Sequence, residues 1–312
     1  MSMSTVPRVS IGLPVYNGEN FLAQALDALL GQSFTDLELI ISDNASTDAT
    51  AEICRRYAAQ DERIRYVRQP RNLGGARNQA IVGEMARGEL FKLAAHDDLY
   101  GRDLIARCVE VLDAHPDVVL CHADMAFIDA SGEIIGRYDY TMATDSPSAP
   151  ERFRSLLRTD GGDDEYGVIR TEVLRRVRAV DSYHNPGRPY VAEIALHGRF
   201  EQVPELLYFR RDHPDRGDRS PTISALCARM DPRRASHSNV RLLGEYVLGY
   251  FRAVHRAPLS TADRVACYRH LVGWLASRAA NRSWRVARGG GRLAWRVPTP
   301  EVDVALPERP LP

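Results

Sequence analysis

The chain has 312 residues, and its 41 basic and 41 acidic side chains give a formal net charge of zero. A chain of this length can bury a sizeable core, as one large domain or two modest ones. The balanced charge gives no support for nucleic-acid binding, and we expect no nucleic-acid partner. The five cysteines include no Cys-x-x-Cys pair, which predicts reduced core residues in a reducing compartment.

Signal-peptide and membrane-span patterns are both missing from the sequence. The first residues lack a basic region followed by an apolar one, and no apolar run approaches about 18 residues. We therefore expect a cytoplasmic location.

The first hundred residues alternate predicted strands with predicted helices. Strands are expected at residues 9–13, 37–41, 64–68 and from 90, with helices at about 21–30, before 60 and before 86. This alternation predicts a parallel sheet with right-handed crossovers.

The last of these strands runs into two adjacent carboxylates, Asp97 and Asp98. A buried parallel strand that delivers acids at its carboxyl end, where α/β sheets bind ligands, has this pattern. Neighbouring carboxylates repel each other, and a divalent metal that also binds phosphate oxygens relieves the repulsion. The alternative is that both acids are solvated in the turn that caps a helix at residues 101–115.

Polar residues also follow the first two strands, with Tyr16 and Asn17 in the first turn and Asp43 in the second. Taken singly, each of these residues is typical of a turn or a helix cap. Because parallel strands end at one edge, we expect these residues to converge with Asp97 and Asp98. The first turn lacks G-x-G-x-x-G and the chain has no G-x-x-x-x-G-K, so a dinucleotide-binding Rossmann unit and a P-loop are excluded.

This ordered set of motifs resembles the family 2 glycosyltransferases, which have the GT-A fold. The motifs are Pro-Val-Tyr-Asn-Gly at 14–18, Ile-Ser-Asp-Asn-Ala-Ser-Thr-Asp at 41–48 and Ala-His-Asp-Asp at 95–98. The likeness is strong over residues 8–130 and weaker over 160–215. It implies an α/β fold, a GT-A type Rossmann-like mixed sheet flanked by helices. Residues 1–215 would form the glycosyltransferase domain, with a nucleotide-sugar-binding half at 1–100 and an acceptor half at 101–215.

The resemblance also implies roles for matching residues. Tyr16 would stack on the nucleotide base, and Asp43 would accept its imide hydrogen bond, uracil or thymine being typical. Asp98 would bind a divalent metal, Mg²⁺ or Mn²⁺, and Asp97 would face the ribose or the metal. His96 stands in place of the first acid of the family's D-x-D motif. The residues implied to bind the nucleotide sugar are Pro14, Tyr16, Asn17, Glu19, Asp43, Asn72, Arg77, Asp97, Arg211 and His213.

A helical pattern at residues 189–200 carries one acid, Glu193, among apolar residues. In the family this helix begins the acceptor site, so the resemblance implies that Glu193 is the catalytic base. Several relatives place an Asp a few residues earlier, where this chain has Gly-Arg-Pro at 187–189, so Asp181 and His184 are alternatives. With near-equal weight, Glu193 is instead a structural residue paired with an arginine, since acids are seldom buried alone.

Arg211 and His213 lie in a basic segment that closes the acceptor half. Relatives end the fold with a similar Arg-x-His segment over the diphosphate, so the resemblance implies that both contact the leaving phosphate. Arginine pairs bidentately with phosphate oxygens. The alternative is a solvated charged loop.

Two further segments of the acceptor half have definite patterns. A strand at 118–128, a turn at 130–132 and a return strand at 133–135 predict a hairpin. The acidic stretch at 160–165 is expected to be a solvated loop.

Residues 216–312 are expected to form a helical extension with an irregular, Pro-rich tail. Residues 264–300 hold eight arginines and no acid, and Arg278, Arg282 and Arg285 would share one helix face. A solvated face is the favoured interpretation. The alternative is peripheral contact with an anionic membrane, which would put the protein at the inner face of that membrane.

Taken together, the resemblance implies an inverting, metal-dependent hexosyl- or deoxyhexosyltransferase. The donor would be a UDP- or dTDP-sugar, and the acceptor a hydroxyl group of a glycan, a lipid-linked sugar or a natural product. A carboxylate would deprotonate the acceptor while the metal, Arg and His neutralise the leaving diphosphate. The alternative is a non-catalytic sugar-nucleotide-binding or scaffold relative of the same fold.

Overall fold

The computed structural model describes residues 6–159, 163–177, 181–183, 185–216 and 222–287, and the side chains at 163 and 280–287 lie outside the description. The strands are β1 Val9–Val15, β2 Leu37–Asp43, β3 Ile64–Arg68, β4 Leu90–Leu93, β5 Leu99–Tyr100, β6 Val118–Ile128, β7 Ile134–Tyr138, β8 Val168–Arg170 and β9 Arg199–Arg211. The helices are α1 Leu22–Leu30, α2 Thr50–Ala58, α3 Gly75–Met85, α4 Leu104–Ala114, α5 Ala149–Arg158, α6 Thr171–Arg176, α7 Gly187–Ala195, α8 Ile223–Met230, α9 Asn239–Arg256 and α10 Thr261–Ala287.

Within the described residues the strands form one sheet in the order β3-β2-β1-β4-β8-β6-β9-β5, and β7 pairs with β6. The first four strands are parallel, whereas β8 runs antiparallel to both β4 and β6. The predicted parallel unit and the predicted mixed sheet are therefore confirmed. In this register Val15 lies opposite Asp43 and Gly12 opposite Leu93, so the polar turns after β1, β2 and β4 emerge at one edge.

Burial explains why the first strands are continuous apolar runs. Every residue of β2 is buried, as expected for a parallel strand that is covered on both faces. One hydrophobic cluster joins β1 and β2 to α1 and α4, with Leu26 and Ile105 as fully buried members. The edge that carries the polar turns is thus built on a rigid, well-packed base.

In the acceptor half, the hairpin is confirmed and the acidic loop is not. β6 and β7 pair antiparallel, and Gly132 takes the left-handed conformation (φ 96°) in the turn between them. Within the acidic stretch, residues 163–166 form a short 3-10 helix, and Asp164 is only 4% exposed. The prediction of a solvated loop was wrong at Asp164, because this side chain lies beside the buried His122. Residues 160–162 lie outside the described part of the chain.

The C-terminal helices pack on the acceptor half. A second hydrophobic cluster contains Phe153 of α5, Val191 of α7, Tyr250 of α9 and Trp274 of α10. The predicted boundary near residue 216 stays a prediction, but the described helices beyond it share a core with the preceding residues. Among the helices that the structure describes, none combines the length and apolar character needed to cross a membrane.

Candidate active site

The first two strand-to-helix turns are joined by hydrogen bonds. Asn17 has a left-handed backbone (φ 50°), which Asn tolerates well, and its Oδ1 accepts from the Thr47 N–H at 2.9 Å. The N–H of Asn17 donates to Ser46 Oγ at 2.9 Å, and the N–H of Gly18 donates to Thr50 Oγ1 at 2.8 Å. The two turns therefore form one continuous surface at the edge of the sheet.

Tyr16 and Glu19 have different surroundings on this surface. Tyr16 is 43% exposed, so its ring is accessible for stacking on a base, and Pro14 beside it is half-buried. Glu19 Oε2 accepts from the Ala49 N–H at 2.8 Å, next to the start of α2. Glu19 therefore acts first as a cap for that helix, where backbone N–H groups need acceptors.

Asp43 is fully buried beneath the two turns. Its Oδ1 accepts from the Ser46 N–H at 2.8 Å. Its Oδ2 accepts from the Tyr66 hydroxyl at 3.0 Å and from Arg68 Nε at 3.2 Å. A carboxylate offers roughly four acceptor positions, so room for one more donor remains. The contact of Asp43 with a nucleotide base stays a prediction.

The turn before α3 reaches the same edge. Asn72 is exposed, and its Oδ1 accepts from Asn44 Nδ2 at 3.0 Å and from the Gly74 N–H at 2.8 Å. Arg77 is on α3, with a side chain that is 52% exposed and paired with Glu84. Asn72 thus joins the second turn, whereas Arg77 is held along its own helix, and the contacts of both with a nucleotide sugar stay predictions.

Asp97 lies where the β4–β5 loop meets the segment after β9. Its Oδ2 is 3.0 Å from His213 Nε2, and 14% of its side chain is exposed. The ring of His96 packs on Gly18, where a Cβ would lie 2.5 Å from the ring, so the third turn meets the first. Burial raises the pKa of Asp97, but His96, the His213 hydrogen bond and Arg216 together hold the pKa below its ordinary value. The predicted convergence of the three turns is confirmed.

Asp98 points the other way, into the protein. It is 1% exposed, its Oδ1 accepts from the Arg211 N–H at 2.9 Å, and its Oδ2 accepts from the Tyr208 hydroxyl. Burial and then the charge of Asp97 raise the pKa of Asp98 above its ordinary value. Asp97 is thus the more accessible of the two carboxylates, and Asp98 accepts hydrogen bonds from the end of β9; which of them binds a metal stays a prediction.

The guanidinium of Arg211 also donates its hydrogen bonds to groups inside the protein. Its Nε donates to the Asp97 carbonyl at 2.8 Å, and Nη2 donates to Gln24 Oε1 at 2.8 Å. Nη1 donates to the carbonyls of Asp129 at 3.1 Å and Ala130 at 2.9 Å. Four of the five N–H groups of Arg211 are therefore occupied and none of its surface is exposed, and its contact with the leaving phosphate stays a prediction.

The groups around Asp97 fit a metal that a ligand helps to hold. Among the described side chains, no three His, Cys, Asp or Glu residues form a group that could hold a metal alone. Mg²⁺ and Mn²⁺ are commonly held by one or two carboxylates, with substrate phosphates and water completing the shell. Asp97, with His213 beside it, is suited to that arrangement.

Glu193 forms an ion pair in the buried core. It is 3% exposed on a helix whose every residue is buried, and both of its oxygens are paired with Arg256. The Nε–Oε1 distance is 3.0 Å and the Nη2–Oε2 distance is 2.7 Å. These contacts are those of the arginine-paired alternative, and the assignment of Glu193 as the catalytic base stays a prediction. Of its two substitutes, Asp181 pairs with Arg234 at 2.9 Å, and His184 lies outside the described residues.

Sequence reasoning missed three residues of this region. Arg216 lies near enough to Asp97 and Asp98 to lower the pKa of both. Tyr208 binds Asp98, and the single lysine, Lys92, is fully buried with its ammonium over the ring of Tyr208 at 5.7 Å. A lone lysine inside a buried strand was a signal that could have been used, because lysine is almost never buried without partners.

Comparison with known proteins decides the family. The profile of "Glycosyl transferase family 2" matches residues 10–181, more than half of the chain. The chain belongs to this family. The resemblance to the family 2 glycosyltransferases is thereby confirmed, and the solved structures described below confirm the GT-A fold.

Individual relatives are similar to only part of the chain. The chain is 38% identical over 177 residues to the uncharacterized protein y4gI of Sinorhizobium fredii, covering 55% of this chain but 18% of the relative. It is 25% identical over 212 residues to the glycosyltransferase GlyG of Streptococcus pneumoniae, covering 66% of this chain and 68% of the relative. A glycosyltransferase of Haemophilus influenzae is 34% identical and is covered over 52% of its length. The chain thus spans about a fifth of the length of y4gI and about half of the length of the Haemophilus influenzae protein.

Solved structures of low identity support the same fold. The S. aureus protein TarS, in complex with UDP, superposes with a TM-score of 0.61 at 17% identity, over 86% of this chain and 70% of that one. The mannosyltransferase PcManGT of Pyrobaculum calidifontis, in complex with GDP-Man and Mn²⁺, gives 0.51 at 20% identity, over 92% and 80%.

Proposed function

We propose that this family 2 glycosyltransferase moves a hexosyl or deoxyhexosyl group from a UDP- or dTDP-sugar to a hydroxyl of a glycan, a lipid-linked sugar or a natural product. The observation that carries the proposal is the position of Asp97, an accessible carboxylate where three polar turns and the basic segment after β9 meet. Solved neighbours that hold UDP or GDP-Man with Mn²⁺ support a nucleotide-sugar donor and a divalent metal, Mg²⁺ or Mn²⁺.

The proposed reaction is a single displacement with inversion at the anomeric carbon. Asp97 would hold the metal, which supplies positive charge to the diphosphate when bound. His213 and Arg216 would stabilise the negative charge that develops on the leaving group, and Tyr16 would stack on the base. Asp43, Asn72 and the turn around Asn17 would fix the nucleotide at the edge of the sheet.

A second candidate is a non-catalytic sugar-nucleotide-binding relative. The Glu193–Arg256 ion pair favours it, since the predicted base is closed off. Slow hydrolysis of a nucleotide sugar without acceptor discriminates the two functions. Peripheral contact with an anionic membrane also stays a prediction for the C-terminal arginines, although Trp274 of this segment is buried in the core.

The first prediction separates Asp97 from Asp98. A ligand that binds the native state raises its melting temperature, so UDP-, dTDP- and GDP-sugars are compared with and without Mn²⁺. Asp97→Asn should remove the part of the shift that depends on Mn²⁺, because the variant loses the accessible charge. Asp98→Asn is the matched control: it should lower the melting temperature of the free protein and keep the Mn²⁺-dependent shift.

Two outcomes would contradict this assignment. If Asp98→Asn loses the Mn²⁺-dependent shift and Asp97→Asn keeps it, Asp98 is the metal ligand, as the resemblance implies. If no nucleotide sugar changes the melting temperature of the wild-type protein, the proposed donor class is wrong.

A further inference from the structure

Four of the six large hydrophobic side chains that are exposed in the described part of the chain lie on α9 and α10. Val240 and Leu248 on α9 are 83% and 48% exposed, and Val265 and Val272 on α10 are 44% and 57% exposed. Single exposed apolar residues are common on protein surfaces, whereas a contiguous group of them marks a contact site. The arrangement of these four side chains therefore decides whether they form such a site.

Each pair of side chains occupies one face of its helix. Val240 and Leu248 are eight residues apart on α9, and Val265 and Val272 are seven residues apart on α10. Both spacings are close to two helical turns, so the members of each pair lie one above the other. Each helix thus carries a short apolar stripe on its solvent side.

Two aromatic rings join the stripes into one surface. Phe251 of α9 stacks on Tyr268 of α10 with ring centroids 5.9 Å apart, and both residues are half-buried. Leu248 comes three residues before Phe251, and Val272 comes four residues after Tyr268. In two antiparallel helices with a short connection, both therefore lie about one turn away in the same direction. The α9–α10 face is defined here as Val240, Leu248, Phe251, Val265, Tyr268 and Val272.

The opposite sides of the two helices contact the protein core. Tyr250 of α9 and Leu271 and Trp274 of α10 are buried members of the second hydrophobic cluster. Val272 is two residues from Trp274, which is about 200° around the helix, so it lies on nearly the opposite side. A helix with apolar residues on two sides has a second apolar surface to cover. The α9–α10 face is that second surface.

Arginines accompany the α9–α10 face. Arg252 and Arg269 are both exposed. Arg252 comes four residues after Leu248, and Arg269 comes four residues after Val265, so each lies one turn from an apolar member of the face. Long arginine side chains can place their alkyl stems along apolar surface and their charge beyond it.

The acids of these helices do not offset this positive charge, because each helix has one acid and both acids are engaged. Glu245 pairs with two arginines, one of them Arg241 at 2.9 Å. Asp263 Oδ2 accepts from the Ser260 hydroxyl at 2.7 Å at the start of α10. In the sequence, residues 281–300 add five arginines and no acid. A partner that approaches the face therefore meets apolar side chains and positive charge.

An anionic lipid surface matches both properties. Helices with an apolar face and flanking arginines lie in the plane of the membrane interface, with the apolar side chains at the acyl boundary and the arginines at the phosphates. A second copy of the chain fits less well. A symmetric contact uses the same patch on both copies, so it would bring Arg252 and Arg269 of one copy towards those of the other.

We propose that the α9–α10 face docks the protein on an anionic membrane surface. Its apolar members enter the headgroup boundary, and Arg252 and Arg269 contact lipid phosphates. This face differs from the basic face predicted at Arg278, whose guanidinium lies over the ring of Trp274 at 4.7 Å. The inference goes beyond the proposed function and does not depend on it.

The test is co-sedimentation of the full-length protein with lipid vesicles. Vesicles that contain equal parts of phosphatidylglycerol and phosphatidylcholine are compared with vesicles of phosphatidylcholine alone. The protein should bind the anionic vesicles and not the zwitterionic ones. Binding should fall as NaCl rises from about 0.05 M to about 0.5 M, because salt screens the lipid charge.

One pair of variants tests the apolar side chains. Leu248→Gln combined with Val272→Thr should weaken binding to anionic vesicles by about tenfold or more, since two apolar groups no longer leave water. The matched control is Val6→Thr, which changes a valine that is 47% exposed ahead of β1. The control should bind like wild type, and all of these surface variants should keep the wild-type melting temperature.

A second pair of variants tests the charge. Arg252→Gln combined with Arg269→Gln should also weaken binding by about tenfold or more, and binding should become less sensitive to salt. The matched control is Arg55→Gln combined with Arg56→Gln, two exposed arginines of α2. That control should leave vesicle binding unchanged.

Three outcomes would overturn the inference. The first is that wild type fails to bind anionic vesicles at about 0.05 M NaCl. The second is that Leu248→Gln with Val272→Thr binds like wild type, which would assign any binding to charge outside the α9–α10 face. The third is a wild-type dimer in light scattering that these two substitutions dissociate, which would assign the face to a second copy. Vesicle binding requires no nucleotide sugar, so all three outcomes leave the proposed function standing.

Discussion

Asp97 and Asp98 are adjacent in sequence, yet their carboxylates have opposite environments. Asp97 faces His213 with part of its surface exposed, and Asp98 is enclosed by Tyr208 and the backbone of Arg211. The cationic neighbours lower the pKa of the first, and burial raises that of the second. A charged, accessible carboxylate is what a divalent cation requires, and the direction of the two side chains is the reason for proposing Asp97 as the metal ligand.

The second prediction concerns the contribution of Lys92 to the pH dependence of stability. Burial lowers the pKa of Lys92 to about 8 from an ordinary value of 10.5. Between these two values the unfolded chain binds a proton that the folded chain does not, so the contribution of Lys92 to the free energy of unfolding rises with pH. The free energy of unfolding of the wild-type protein minus that of Lys92→Met should therefore increase by about 2 kcal/mol between pH 7.5 and pH 10, by the linkage relation.

Urea unfolding of both proteins across that pH range measures the difference. Subtracting the Lys92→Met values cancels the titration of the buried cysteines, whose raised pKa values act in the opposite direction. A difference that stays constant with pH would show that the lysine is protonated throughout, with its pKa at the ordinary value.

Among the elements, the strands and the polar turns could be predicted, and side-chain directions could not. The apolar runs of β1 and β2 and their polar ends fixed the edge at which Asn17 and Asp43 meet, because parallel strands align their carboxyl ends. Arg211 fits the same basic pattern as a phosphate ligand, but its hydrogen bonds run to two other loops and to α1. Such contacts depend on the three-dimensional arrangement of distant segments.

The sequence left two interpretations of Glu193 on helix α7 open for the same reason. An acid among apolar residues suggests either a base or a buried ion pair, and the partner of Glu193 lies 63 residues later in the chain. Only the packing of α9 against α7 shows which applies. The Glu193–Arg256 pair therefore belongs to the contact between two helices.

The third prediction concerns this contact. Glu193→Gln should lower the free energy of unfolding by about 2 kcal/mol, less than for a fully buried pair because the Arg256 side chain is 36% exposed. Donor hydrolysis should stay within about twofold of wild type. Urea unfolding and the hydrolysis rate, measured on one preparation, check both. A large loss of rate at unchanged stability would restore Glu193 as the base.

Across the whole molecule, the described C-terminal helices and the acceptor half share one core. Tyr250 of α9 is fully buried between Phe153 of α5 and Trp274 of α10, with ring centroids 6.2 and 5.7 Å apart. A helical extension was predicted from the sequence, but its integration was not, since amphipathic helices pack equally well on a membrane, a partner or their own domain.

The last prediction tests whether the molecule unfolds as one unit. Tyr250→Ala should cost about 3–5 kcal/mol, as expected for removing a large buried ring, whereas the 48% exposed Leu248 on the same helix should tolerate alanine. All three tryptophans lie after residue 216, so their fluorescence reports on the C-terminal segment alone, and nucleotide binding reports on the first half. If the molecule unfolds as one cooperative unit, Tyr250→Ala should lose both signals at the same urea concentration, and that concentration should be lower than for wild type. If fluorescence shifts and nucleotide binding keeps its wild-type midpoint, the helices form a separate domain. The predicted boundary near residue 216 would then separate two domains that unfold independently.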